Sequence, residues 1–231
     1  MAASRKLAPE LLEKLSKFAS CDIGDALVKM KVPHGGYLSG LRAFSPSYLS
    51  GQFKMCGPAH TIKMVGADDK AAPSPKVHFA DSITKNSVVF VSQPKGLISA
   101  CWGGLMSTRA KKLGAAGVII DGRFRDINEH RELGMNLFAR DMSILGSNSF
   151  TRASEIDVPI SYAISEIEGA EVKITPGDII LGDVDGVVAV PVEAVEECIK
   201  LCQERYDIDE ETRTCLENGD ELGPTIKRLR K

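Results

Sequence analysis

Helical spacing of apolar residues appears first. Residues 8–19 put Leu11, Leu12, Leu15 and Phe18 on one face, and Pro9 suits a first turn, so an amphipathic helix is expected there. Asp22–Met30 reads as a second short helix and Pro33–Gly40 as a turn-rich loop. The period then becomes extended. Gly57–Val65 partly alternates and reads as a strand, and Ser87–Ser92, around Val88-Val-Phe-Val, reads as a buried one. Between them, residues 66–76 are small, charged and proline-rich, which predicts a mobile loop, and Val77–Ile83 reads as a helix.

The centre of the chain reads as a strand–loop–helix–strand unit. Val88–Val91 is followed by a glycine turn at Cys101–Gly104, a helix over Leu105–Leu113 and a strand over Ala115–Ile120. Such a unit predicts a right-handed crossover between parallel strands. Residues 123–126 then follow the end of the second strand, the place where ligands gather in α/β sheets. Asn128–Leu133 reads as a short helix closed by Gly134. Asn136–Arg140, Val158–Ala163 and Ala170–Ile174 read as strands, and Ile179–Leu181 pairs with Gly186–Val190 as a hairpin. Val192–Asn218 reads as one or two helices, with Val195, Cys198, Ile199 and Cys202 on one face.

Composition narrows the function classes. With 231 residues, 43% of them hydrophobic, a single domain over 1–231 is expected, with N-terminal helices within 1–30 and a helical extension over 192–231. The net charge is −2 and the pI near 6.1, so nothing pulls the chain toward nucleic acid. The basic cluster at 227–231 reads as a solvated tail. Six cysteines occur without a CxxC pair, which fits reduced thiols and a cytoplasmic location. Met1–Phe18 lacks the apolar core of a signal peptide, and no run of about 18 apolar residues predicts a membrane span.

Candidate chemistry is reached partly by elimination. The four histidines, His34, His60, His78 and His130, show no HxH or HxxxH spacing, and GxGxxG, GxxxxGK[ST] and GxSxG are all absent. Acids and arginines remain around 121–129. Asp121 and Asp126 flank Arg123 and Arg125, and Glu129 shares a helical face with Asp126 if a helix begins there. Oxygen donors beside guanidiniums suit a hard cation and an anionic substrate together. The backbone N–H groups at Gly103-Gly104, just before a helix, suit an anion. The same residues also read as a surface ion pair, a helix cap at Asp126, and a turn that needs glycine for backbone reasons.

Several stretches together resemble the RraA-like family, which includes the 4-hydroxy-4-methyl-2-oxoglutarate/4-carboxy-4-hydroxy-2-oxoadipate aldolases. They are Cys21–Leu27, Gly57–Thr61, Gly103–Ala110, Gly117–Asp126 and Pro176–Val188. The family carries D-x20-R-D or G-x20-R-D-x2-E/D. Gly104, twenty intervening residues, Arg125, Asp126, two residues and Glu129 fit the second form.

The resemblance implies a swivelling β/β/α-type α/β fold, assembled as trimers or as hexamers built from trimers, with a site between subunits. It implies a metal-dependent aldolase acting on small 2-oxo acids, with oxaloacetate decarboxylation as a side activity. Asp126 would ligate Mg²⁺ or Mn²⁺, and Arg125 would bind substrate and steady the enolate. The N–H groups of Leu105 and Met106, beside Gly103 and Gly104, would hold the substrate carboxylate. Glu129 would replace the acid missing at Gly104. Glu210 or Glu211 of a neighbouring subunit would orient metal-bound water. Arg140, Lys63 and the 66–76 loop would tune specificity. Some relatives instead bind a ribonuclease or helicase without catalysis. A quinone-synthesis methyltransferase label is also used for such sequences, but no nucleotide-type glycine loop supports it here.

Overall fold

The computed structural model describes residues 7–230. Its helices are α1 (Pro9–Leu15), α2 (Ser20–Lys29), α3 (Gly104–Leu113), α4 (Ile127–Glu132), α5 (Val195–Glu217) and α6 (Leu222–Leu229). Its strands are β1 (Arg42–Ser45), β2 (Met55–Gly66), β3 (Val88–Ser92), β4 (Gly117–Phe124), β5 (Leu137–Met142), β6 (Thr151–Ile156), β7 (Ile160–Ala163), β8 (Glu171–Ile174), β9 (Ile179–Gly182) and β10 (Val187–Val190). The main sheet runs β1-β5-β4-β3-β2-β9-β10, β6 pairs with β2, and β7 with β8 makes a separate ribbon. This is the α/β class with a central βαβ unit that the sequence predicts.

The centre of the sheet is parallel, β2-β3-β4-β5, and covered on both faces. That is why Val88-Val-Phe-Val is apolar without alternation. Val88 and Phe90 enter one core with Ile119, Phe138 and Tyr162, while Val89 and Val91 enter the other with Val118, Ile120, Trp102 and Phe124. A third core packs α1, α2 and α5 against β9 and β10. There Asp183, in the β9–β10 turn, accepts from Ser20 N–H at 2.8 Å and from the Ser20 hydroxyl at the start of α2. Negative charge suits that end of a helix.

Several expectations are corrected. The helix expected over 8–19 stops at Leu15, and α2 starts at Ser20 rather than Asp22. Val77–Ile83 holds only a 3-10 turn, Phe79–Asp81, capped by the His78 ring that accepts from Ala80 N–H. Strands β1 and β6 lie in stretches without a clear alternating pattern; their backbones form the ladders with β5 and β2. The 66–76 loop is pinned rather than loose. Arg152 donates to the carbonyls of Asp69, Ala72 and Pro73 and to the Ser74 hydroxyl. The basic cluster does not form a free tail: Lys227–Leu229 belong to α6, and Arg230 pairs with Asp209 at 2.8 Å. The readings at residues 1–6 and 231 lie outside the described residues.

Candidate functional site

β4 runs to Phe124, four residues beyond the expected end at Ile120, with an irregularity in its pairing to β5 between Ile120 and Arg123. Arg123 therefore lies within the strand, and Arg125 and Asp126 alone form the corner before α4. That corner is laced to the glycine turn. Cys101 N–H donates to the Arg123 carbonyl at 2.9 Å, and Arg125 N–H donates to the Trp102 carbonyl at 3.1 Å. Asp126 sits in the left-handed region at φ 66°. Asp tolerates that region better than most residues, because its short side chain bonds locally.

The Asp126 carboxylate does not cap its own helix, α4. Instead its Oδ2 accepts from Gly104 N–H at 3.0 Å, at the start of α3. The helix-cap reading thus gives way to a contact between two elements. The ion-pair reading is weak: Arg125 Nε lies 3.5 Å from Asp126 Oδ2, with the side chains 46% and 34% exposed. Arg125 makes no other salt bridge or side-chain hydrogen bond among the described residues, so most of its fork is free for an anion.

Glycine at 104 has a steric cause. A methyl group there would overlap the Glu129 carboxylate, which fills the space beside the turn. At Gly103 an added Cβ would meet Asp126 Oδ2 at 2.8 Å. The missing side chains of the turn thus make room for two carboxylates. The expected backbone cradle is smaller than the sequence suggests. Gly104 N–H is committed to Asp126, and Met106 N–H donates to the Gly103 carbonyl at 3.1 Å. Leu105 N–H has no partner among the described residues, and its side chain is 85% exposed.

The other candidates are engaged elsewhere. Asp121 is buried against Arg140, which also donates to Ser165 and the Ala163 carbonyl. Burial pushes the Asp121 carboxyl up, and Arg140 pulls it back. Arg123 pairs with Asp141 at 2.6 Å, and Lys63 with Glu155 at 2.8 Å. Glu210 pairs with Arg213 at 3.2 Å on α5, which packs on α1, α2 and α6; among the described residues neither Glu210 nor Glu211 has a hydrogen bond or salt bridge to Arg125 or Asp126 of its own chain. Among the described residues, no three His, Cys, Asp or Glu side chains converge as a metal cage. Asp126 and Glu129 are the two acids beside the glycine turn, and a cation held there would keep most of its waters, as Mg²⁺ does.

Two features were hidden from sequence reasoning. Under the corner, His130 Nε2 lies 2.7 Å from the Arg125 carbonyl, and its Nδ1 lies 2.8 Å from the Ser107 hydroxyl. The four-residue step from Asp126 to His130 was the available signal. Elsewhere, His60 lies between Asp157 at 2.9 Å and Ser82 at 3.0 Å, an acid–imidazole–hydroxyl row without a GxSxG. The Ser82 hydroxyl donates to the Phe79 carbonyl at 2.7 Å, so the row braces the 3-10 turn against β2.

The chain is similar to known proteins over most of its length. The family description Aldolase/RraA matches residues 20–189. Protein DlpA of Legionella pneumophila is 28% identical over 216 residues, covering 93% of this chain and 33% of DlpA; the chain thus spans about a third of that relative's length. A 4-hydroxy-4-methyl-2-oxoglutarate aldolase of Thermus thermophilus is 34% identical over 104 residues, 45% of this chain and 58% of that protein. The crystal structure of Streptomyces coelicolor RraAS2, described as an unusual member of the RNase ES inhibitor RraA family, superposes with a TM-score of 0.75 at 26% identity, over 90% of this chain and 98% of that one. With the family description matched from α2 through β10 and the same fold in a solved relative, the chain belongs to the Aldolase/RraA family.

Proposed function

We propose that this chain is a divalent-cation-dependent carbon–carbon lyase that releases pyruvate from 4-hydroxy-2-oxo acids of the 4-hydroxy-4-methyl-2-oxoglutarate type and decarboxylates oxaloacetate to the same product. One observation carries the reading: a largely free guanidinium, two carboxylates and a helix N-terminus meet at Gly104. A binding module would have no need of that convergence.

In this reading the substrate carboxylate lies against Leu105 N–H and the start of α3, and Arg125 faces the 2-oxo group. Asp126 would hold Mg²⁺ or Mn²⁺, with Glu129 beside it, and the cation would supply Lewis-acid polarisation when bound. Glu129 accepts the proton of the C4 hydroxyl. The C3–C4 bond breaks, its electron pair passes into a pyruvate enolate, and the fragment bearing C4 leaves as a carbonyl compound. Arg125 stabilises the negative charge on the enolate oxygen. The proton held by Glu129 returns to C3, which completes pyruvate and restores the carboxylate. Glu210 or Glu211 of a neighbouring copy would complete the site. Leu105 and Ile144, 85% and 93% exposed, are apolar surface that a neighbouring copy would cover.

The test is pyruvate release from both substrates with and without EDTA. EDTA-sensitive release supports the lyase. No release from either substrate with Mg²⁺ or Mn²⁺ sinks it and favours a regulator such as the RraA inhibitors.

A further inference from the structure

Three polar side chains without a shared motif are buried under the corner. Trp102 is 1% exposed, and Ser107 and His130 are 0% exposed. Each hydrogen bond among them has one possible direction. The Arg125 carbonyl can only accept, so His130 Nε2 must carry the hydrogen it shares at 2.7 Å. The Trp102 indole can only donate, so Ser107 Oγ accepts from Nε1 at 2.8 Å. The Ser107 hydroxyl has a single hydrogen, and among the described residues its partner besides the indole is His130 Nδ1, so Nδ1 is the lone pair. The Ser107 hydroxyl then donates to that lone pair at 2.8 Å.

The chain also closes on itself. Arg125 N–H donates to the Trp102 carbonyl at 3.1 Å, so the bonds run from the indole through Ser107 and His130 to Arg125 and back to Trp102. Both peptide groups of Arg125 are held, and no polar atom of the ring lacks a partner. Left-handed backbone at a non-glycine residue persists where its surroundings over-determine it. Asp126, the next residue, is such a position.

We infer that Trp102, Ser107 and His130 are positioning residues, a buried ring that sets the Arg125–Asp126 corner against the Gly104–Leu105 turn so that guanidinium and carboxylate face one substrate. The kinetic consequence rests on the lyase reading; the ring itself does not. Supporting partners of this kind typically matter 10- to 100-fold in activity.

Two variants separate positioning from mere packing. In His130→Gln, the amide nitrogen lies as many bonds from Cα as Nε2 and keeps the donation to Arg125. In His130→Asn, the amide matches Nδ1 and keeps only Ser107. Both lose stability. Turnover of oxaloacetate with Mg²⁺ falls about 10-fold or more in the Asn variant and stays within about threefold in the Gln variant. Equal losses in the two, or losses that track melting temperature, overturn the inference.

Two measurements are independent of catalysis. The imidazole ¹⁵N spectrum of the wild-type protein shows His130 as the Nε2–H tautomer, and the opposite tautomer overturns the ring. Amide exchange at Arg125 is faster in the Asn variant than in the Gln variant, and equal exchange overturns the positioning role. A wild type that releases no pyruvate sinks the lyase reading alone and leaves these two results to decide the ring.

Discussion

At the scale of single residues, Asp126 does two things that one substitution separates. Asp126→Asn keeps a side chain suited to the left-handed backbone but removes the charge. Pyruvate release by this variant is expected to fall by about 100-fold or more, since on the lyase reading Asp126 would hold the cation, and Arg125→Ala to fall comparably, since the loss of one group that stabilises developing charge costs about 10²–10³ in turnover. Steady-state kinetics on oxaloacetate measure both, and wild-type turnover in either would remove that residue from the reaction. The pairing of Gly104 with Glu129 makes a sharper forecast. Gly104→Asp forces two carboxylates into one space and should cost about 1–3 kcal/mol, as overpacking does. Adding Glu129→Ala clears the space and should recover stability, because contacting residues are not additive. Denaturant melts of the single and double variants check this, and additive losses would mean that the two side chains do not meet. Arg125, Asp126 and Glu129 were legible in the sequence through spacing and family pattern. The reason for glycine at 104 was not, because it lies in a side chain 25 positions away.

At the scale of elements, the strongest patterns were read best. The apolar run of β3, the α3 crossover and the β9–β10 hairpin stand close to where periodicity puts them. β1 and β6 went unread because each is short and lacks clear alternation. Their extended state comes from ladder bonds to β5 and β2, which a local pattern does not encode. The 66–76 segment shows the limit of composition. Its proline-rich, polar residues look mobile, yet Arg152, 76 or more positions on, bonds to its backbone and to Ser74. Arg152→Ala should cost about 1–3 kcal/mol locally, since it leaves those acceptors without their charged donor, and should open the segment to protease. Mapping the first nicks under limited proteolysis tests this, and cleavage unchanged at 66–76 would mean that the loop holds without the arginine.

At the scale of the whole molecule, β2 ties the parts together. Its first half pairs with β9, its second half with β3 and β6, so the outer and inner portions of the sheet share one strand. Phe138 is fully buried in the core beside β7 and β8 and packs on Phe53 at 5.9 Å between ring centroids. Phe138→Ala should destabilise by about 3–5 kcal/mol, read as a lowered denaturant midpoint with little change in slope. Chelation should act on chemistry and not on fold. On the lyase reading, EDTA is expected to remove pyruvate release and added Mg²⁺ or Mn²⁺ to restore it, with a constant circular dichroism spectrum, because the corner and α4 that carry the two acids are held by bonds and core contacts among protein groups. Among the described residues, no helix is long and apolar enough to cross a membrane. The sequence by itself determined the α/β class, the central crossover and the residues with chemistry to offer, because periodicity, glycine spacing and side-chain type are local or nearly local properties. Only the tertiary structure decided that Asp126 reaches α3 instead of capping α4, that Glu129 fills the space of an absent side chain, and that a buried ring returns from His130 to Trp102. Those facts depend on which atoms distant segments bring within about 3 Å of one another, the range in which hydrogen bonds act.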